Sequence, residues 1–142
     1  MATTASAVCD ALITMLSATS VFGASAVGLT YKVLETASGS AAVVVSLTGF
    51  NSISISFGGD KERSWIFGTK LYVKDTGNPN TALARVGKCV DATLACLESD
   101  DTLQGTVDTI LAIRGSRDPD RLEETGGAIW LPVEVGIEVR EL

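Results

Sequence analysis

The sequence predicts a single α+β domain: a two-layer fold with a mainly antiparallel sheet packed by two helices, in the order α-β-β-β-α-β-β. Three observations lead there. Apolar residues recur at helical spacing in two segments, near the N-terminus and again from residue 79, and elsewhere the apolar period drops to two. The 142 residues match the commonest size of one domain, and no repeat or low-complexity tract divides residues 1–142. A domain of this length buries roughly 70% of the surface its unfolded chain exposes. With 46% hydrophobic and 20% charged residues it can build a core without disulfide or metal staples.

The first helix starts at a Thr3 or Thr4 cap and runs to about Ala18. Val8, Leu12 and Met15/Leu16 form its apolar stripe, and Ala5, Cys9 and Ile13 widen it. It carries almost no charge, which predicts that much of its circumference is covered, in part by another subunit. Ser20 to Gly39 reads as loop, with room for a short strand at Leu29 to Leu34.

Val43, Val45 and Leu47 then alternate along a strand, and Thr48-Gly49 marks a break. Ile53, Ile55 and Phe57 alternate with Ser52, Ser54 and Ser56, which predicts a half-buried strand with one small polar face. Gly58-Gly59-Asp60 is a turn, where glycine tolerates positive φ. The strand Glu62 to Lys74 places Trp65, Phe67, Leu71 and Val73 on one face and Ile66, Lys70, Tyr72 and Lys74 on the other.

Asn78-Pro79 reads as the N-cap and first turn of the second helix. Leu83, Val86, Val90, Leu94 and Leu97 give its core stripe, flanked by Cys89 and Cys96, with Arg85, Lys88 and Asp91 solvated. The acidic run from Glu98 to Asp101 ends it. Two strands close the chain: Gly105 to Arg114, alternating at Val107, Thr109, Leu111 and Ile113, and Ile129 to Val139, alternating at every odd position. Between them Gly115 to Gly127 carries six charged residues, Arg117, Asp118, Asp120, Arg121, Glu123 and Glu124, around Pro119. A polar connection of that length between paired strands suggests a binding loop.

The chemistry the chain lacks is as informative. It contains no histidine, so neither a Ser/His/Asp nor a Cys/His catalytic arrangement can form. Glycines 23 and 28 do not carry the spacing of a nucleotide-binding loop. Asp118, Asp120, Glu123 and Glu124 lack the spacing of a calcium loop, and Arg117 and Arg121 are at hand to neutralise them. The three cysteines, Cys9, Cys89 and Cys96, sit among apolar neighbours as small buried hydrophobes in a reducing compartment. Cys89 and Cys96 lie about 10.5 Å apart along one helix, too far to bridge. Neither an enzyme, nor a cofactor, nor a metal is expected.

The net charge of −6 and scattered Lys and Arg argue against a nucleic-acid-binding surface, although an acidic wall lets DNA slide past. No stretch approaches a membrane span. A secretory signal is not expected, because no Lys or Arg precedes the apolar run from Val8 and Asp10 interrupts it. What remains suits self-assembly: a helix without a charged face, a flat serine-rich strand, and a last strand expected to offer an edge for pairing. Trp65 and Trp130 read as core or interface anchors.

The order of elements resembles the tail-terminator, or head–tail joining, proteins of long-tailed, siphovirus-like phages. The likeness runs through the N-terminal helix, the segment Glu62-Arg63-Ser64-Trp65-Ile66-Phe67-Gly68-Thr69-Lys70-Leu71-Tyr72-Val73, then Asn78-Pro79, the amphipathic helix, and the terminal Val133-Glu134-Val135-Gly136-Ile137-Glu138-Val139. It covers nearly the whole chain as pattern, without an invariant motif.

The resemblance implies a structural virion protein, assembled in the host cytoplasm. It would form a homo-oligomeric, hexameric ring on the tail tube, with the tail-tube protein and head–tail connector proteins as partners. DNA would pass through its lumen without sequence-specific binding. Such a ring needs two different patches per subunit. They are expected on the first helix, on the strand bearing Arg63, Trp65, Lys70, Tyr72 and Lys74, and on the loop bearing Arg117, Asp118, Asp120, Arg121, Glu123 and Glu124. A tail-tube or head-completion protein is the near alternative, and a small ligand-binding α+β domain the alternative from another class.

Overall fold

The computed structural model describes residues 4–22, 27–30, 34, 41–54, 58–59, 61–75, 77–125 and 127–141. It is an α+β domain with helix α1 (Ala5–Ser17), strands β1 (Val27–Gly28), β2 (Ala41–Ser54) and β3 (Lys61–Asp75), helix α2 (Pro79–Glu98), and strands β4 (Thr109–Ser116), β5 (Glu123–Thr125) and β6 (Ala128–Arg140). The sheet order is β1-β2-β3-β6-β4, with the short β5 added beside β6, and every pairing except β1 with β2 is antiparallel. Helix α1 lies against β1 and β2, α2 against β3, and the helices touch each other.

Thr4 caps α1 by accepting from the Ala7 N–H, and its Val8, Ala11, Leu12 and Leu16 point into the core. Ser6, Asp10 and Thr14, four residues apart, make an exposed polar face. The domain itself thus covers the apolar side of α1, and the expected dependence on another subunit is not needed to explain its composition. Asn78 caps α2 through the Asn80 and Thr81 amides, with Pro79 in the first turn.

Of the expected stripe of α2 Leu97 is buried, and Val86 and Val90 are partly buried against the core; the fully buried residues of the helix are Ala82, Cys89, Thr93 and Leu97. At about 100° per residue these four span about 80° of the helix, and Leu83 and Leu94 fall at its margin. Leu83 is exposed accordingly. Thr93 is tolerated inside because its hydroxyl donates to the Cys89 carbonyl at 2.8 Å.

Five expectations about the strands are corrected. The two segments at Val43–Leu47 and around Ser52 are one strand, β2, continuous through a bulge between Leu47 and Gly49. Within it Ser52, Ile53 and Ser54 are exposed on both faces, so this end is not half-buried; Ile55, Ser56 and Phe57 lie outside the described residues. A short strand precedes β2 at Val27–Gly28; of the expected Leu29 to Leu34, residues 31–33 lie outside the described residues and Leu29, Thr30 and Leu34 are not in a strand. In β4 a bulge between Ile110 and Ala112 breaks the expected alternation, leaving Leu111 exposed and Ile110 and Ile113 partly buried. The last strand, β6, is no edge: it runs between β3 and the β4/β5 pair, and among the described residues the open edges belong to β4 and, beyond the two residues paired with β1, to β2.

The core lies on the helix-facing side of the sheet, where Val43, Val45, Phe67, Leu71, Val73, Val135 and Ile137 are buried. Thr69 joins them with its hydroxyl bonded to the Val135 carbonyl at 3.2 Å. On the opposite side Tyr72 and Trp130 are buried at the β5 end, as are Ala42 and Val44 of β2.

Candidate interaction surface

Strand β3 pairs with β6 from Ser64 onward and with β2 from Lys61 to Val73, while β1 reaches only Val43 and Val44 of β2. The outer part of the β2–β3 hairpin forms an arm along the sheet's margin: β6 and β4 still flank it at Trp65, and only Ser52–Ser54 with Lys61–Arg63 are two-stranded. Nothing in Ala41–Ser54 carries a charge and none of it is proline, so the outer edge of β2 lacks the usual protection against pairing. On the helix-facing side of the arm Phe50 is 76% exposed, beside Leu47 at 40% and a half-buried Trp65. Phe50 and Trp65 are tilted at 6.5 Å between centroids, and Trp65 stacks on buried Phe67 at 6.5 Å. These residues, with Ser52 and Arg63, line a cleft of about 440 Å³. The Trp65 indole N–H is buried without an acceptor among the described residues. Exposed apolar area gathered on one sheet face in this way suits a covered position.

The second surface is on the other face of the sheet. Gly68 and Gly136 lie opposite each other across β3 and β6, and with Gly115 they form a side-chain-free floor about 510 Å³ in volume. Ser46, Thr48, Ser116, Lys70, Arg114 and Glu134 wall it. A Cβ on Gly68 would lie 2.9 Å from Thr48 Cγ2, and Thr48 is held by its hydroxyl bond to the Ile66 carbonyl at 3.1 Å, so glycine is required there.

The charged connection folds onto this face instead of standing free. Lys70 Nζ meets Glu123 Oε1 at 2.8 Å, Arg121 reaches the same oxygen at 3.3 Å, and Arg121 also approaches Glu134 at 3.8 Å. The Lys70 ammonium lies over the Tyr72 ring at 5.4 Å and the Lys74 ammonium over Trp130 at 5.8 Å. Burial alone would raise the Glu123 carboxyl; hydrogen bonding and charge from Lys70, a hydrogen bond from Tyr72 and the Arg121 charge outweigh it and hold it below its ordinary value. At the tip, Asp118 Oδ1 accepts from the Asp120 amide at 3.0 Å, leaving Asp118, Asp120 and Leu122 outward.

The expected interface residues thus divide. Lys70, Tyr72, Lys74, Arg121 and Glu123 are drawn together into one intramolecular cluster, and Tyr72, wholly buried, has no surface to offer a partner. Arg63 and Trp65 belong to the arm, some distance away; Arg63 keeps 56% of its side chain exposed beside Glu141 at 3.7 Å. Asp118, Asp120 and Glu124 are exposed, and Arg117 is half-buried. Leu47, Phe50 and Leu122 escape sequence reasoning. Their signal is negative: a long uncharged strand, and a lone leucine in a polar loop.

Among the described residues no group of three or more Cys, Asp or Glu is placed to hold a metal ion, and no helix is long and apolar enough to cross a membrane. The three thiols are free. Burial raises all three, Cys89 to about 11 with Arg85 pulling slightly the other way, so they are poor nucleophiles. No protein-family model matches the chain, and no curated protein matches it in sequence.

Proposed function

We propose that the chain is a structural, non-enzymatic subunit of a homo-oligomeric ring, of the kind that caps a phage tail tube and joins it to the head connector. One observation carries the assembly half of this reading: the uncharged outer part of β2, with Phe50 76% exposed and an edge unpaired among the described residues, is a surface suited to burial against another chain. The open edges of β2 and β4 lie at opposite sides of the sheet, which supports heterologous, ring-closing contacts over a two-fold dimer. The tail-terminator assignment rests on the order of elements and carries with it a hexamer, a place in the virion at the tail–head joint, and a lumen through which DNA passes. An overall charge of −6 suits a wall that DNA crosses without binding.

Native mass spectrometry of the purified chain, alone and with uncapped tail tubes, tests the reading. A closed ring, or a ring formed on the tube end, is the expected species. A chain that stays monomeric at high concentration and ignores tubes would sink it. The glycine-floored trough favours a second reading, a small ligand-binding domain; saturable binding of a polar small molecule there by a monomer would support it over the ring.

A further inference from the structure

The arm cleft and the charged loop present matching chemistry, and one chain cannot bring its own two together. Arg121 ties the loop to Glu134, which is paired with Lys70, whereas the cleft centres on Arg63 and Trp65. Six residues of extended strand separate Lys70 from Ser64, about 20 Å at roughly 3.3 Å per residue. Alternation also puts them on opposite faces: the pairing of β3 with β6 is unbroken, so Lys70 and Trp65 point to opposite sides of the sheet.

We infer that the loop tip of one copy, Asp118 to Leu122, docks in the arm cleft of a second copy, with Leu122 against Phe50 and Trp65 and with Asp118 and Asp120 facing Arg63. Leu122 is 56% exposed in an otherwise polar loop, an apolar knob without a site of its own. The cleft offers Leu47, Phe50 and Trp65 as an apolar wall of matching character. Arg63 lies beside Glu141 at 3.7 Å, but with Lys61 two residues away at the arm's end these three groups leave a net positive charge at the cleft's lip, in a protein of net charge −6. The exposed carboxylates of Asp118 and Asp120 flank the knob and complete the complementarity. Because knob and cleft are different patches on opposite faces, the contact is head-to-tail and propagates. The inference rests on the ring reading and specifies its contact.

Sedimentation velocity of the full chain tests it by charge exchange. Arg63→Asp alone, and Asp118→Lys with Asp120→Lys, should each weaken assembly at least tenfold, while mixing the two variants should restore it, because each supplies what the other lost. Weakening without restoration in the mixture overturns the pairing. Assembly unaffected by Phe50→Asp and by Leu122→Asp overturns the docking but leaves a ring with another interface. A wild-type chain that never assembles, even on tail tubes, overturns the ring reading itself. As a measurement independent of these charges, Ser52→Cys with Leu122→Cys should give a ladder of disulfide-linked multimers on mild oxidation. Monomer alone would count against the contact.

Discussion

From Ala41 to Val45 strand β2 is buried on both faces, whereas from Ser46 to Ser54 nearly every residue is exposed. The partner strand follows suit: Phe67, Leu71 and Val73 are buried, and Lys61, Glu62 and Arg63 are not. Both halves are β-prone, and Leu47, Phe50 and Ile53 are no less apolar than Val43 and Val45. The difference lies in what is packed against them. The inner half of β2 has α1, β1 and β3 against it; among the described residues the outer half has β3 alone beside it and a face open to water. Apolar character in the inner half is explained by the fold, and in the outer half the fold gives no reason for it.

Truncation should break this symmetry of composition most visibly in the inner half. Leu71→Ala removes a fully buried side chain between both layers and should lower the unfolding free energy by about 2–5 kcal/mol, read by denaturant titration. A cost under about 1 kcal/mol would mean the core is not where the sheet and helices meet. At the junction between the halves, Gly68→Ala should cost about 1–3 kcal/mol, because its methyl group meets Thr48 Cγ2. Adding Thr48→Ser removes that carbon and keeps the hydroxyl, so the double variant should recover most of the loss. Equal costs in the single and double variants would exclude Thr48 as the obstacle.

What the sequence made legible follows the same division. The alternation of Leu131 to Val139 and the Asn78-Pro79 start of α2 are local signals, and the structure carries both as read. Bulges are not local signals. An extra residue beside Thr48 or at Leu111 shifts every later side chain to the other face, and it is set by the partner strand's register. Strand order is likewise decided by pairing across the chain, which is why β6, last in sequence, sits inside the sheet. The charged loop was legible as a feature, but its destination was not: six charges between two strands do not reveal that Lys70 captures Glu123.

Acid should loosen the loop before the core. The folded Glu123 carboxyl lies below its ordinary value, so the unfolded chain takes up its proton first as pH falls. Its contribution is therefore complete above the ordinary glutamate range of about 4.3 and is lost as pH falls through the folded value. Glu123→Gln should cost about 1–2 kcal/mol at neutral pH and flatten the acid limb of the stability curve, measured by urea midpoints across pH. An unchanged limb would show that the ion pair with Lys70 does not form in solution.

The smallest effect on stability should come from Phe50, and it is the most informative. With 76% of its surface already in water, Phe50→Ala has little burial to lose, and in dilute, unassembled protein the unfolding free energy should change by no more than about 0.5 kcal/mol. Under assembling conditions the same variant should lose at least about 1.4 kcal/mol of association, a tenfold weakening. A side chain that matters to assembly and not to folding is one whose apolar character the monomer leaves unexplained. Were Phe50→Ala instead to destabilise the monomer by as much as Leu71→Ala, the arm would be part of the core in solution, packed against its own chain. The outer half of the hairpin would then need no partner.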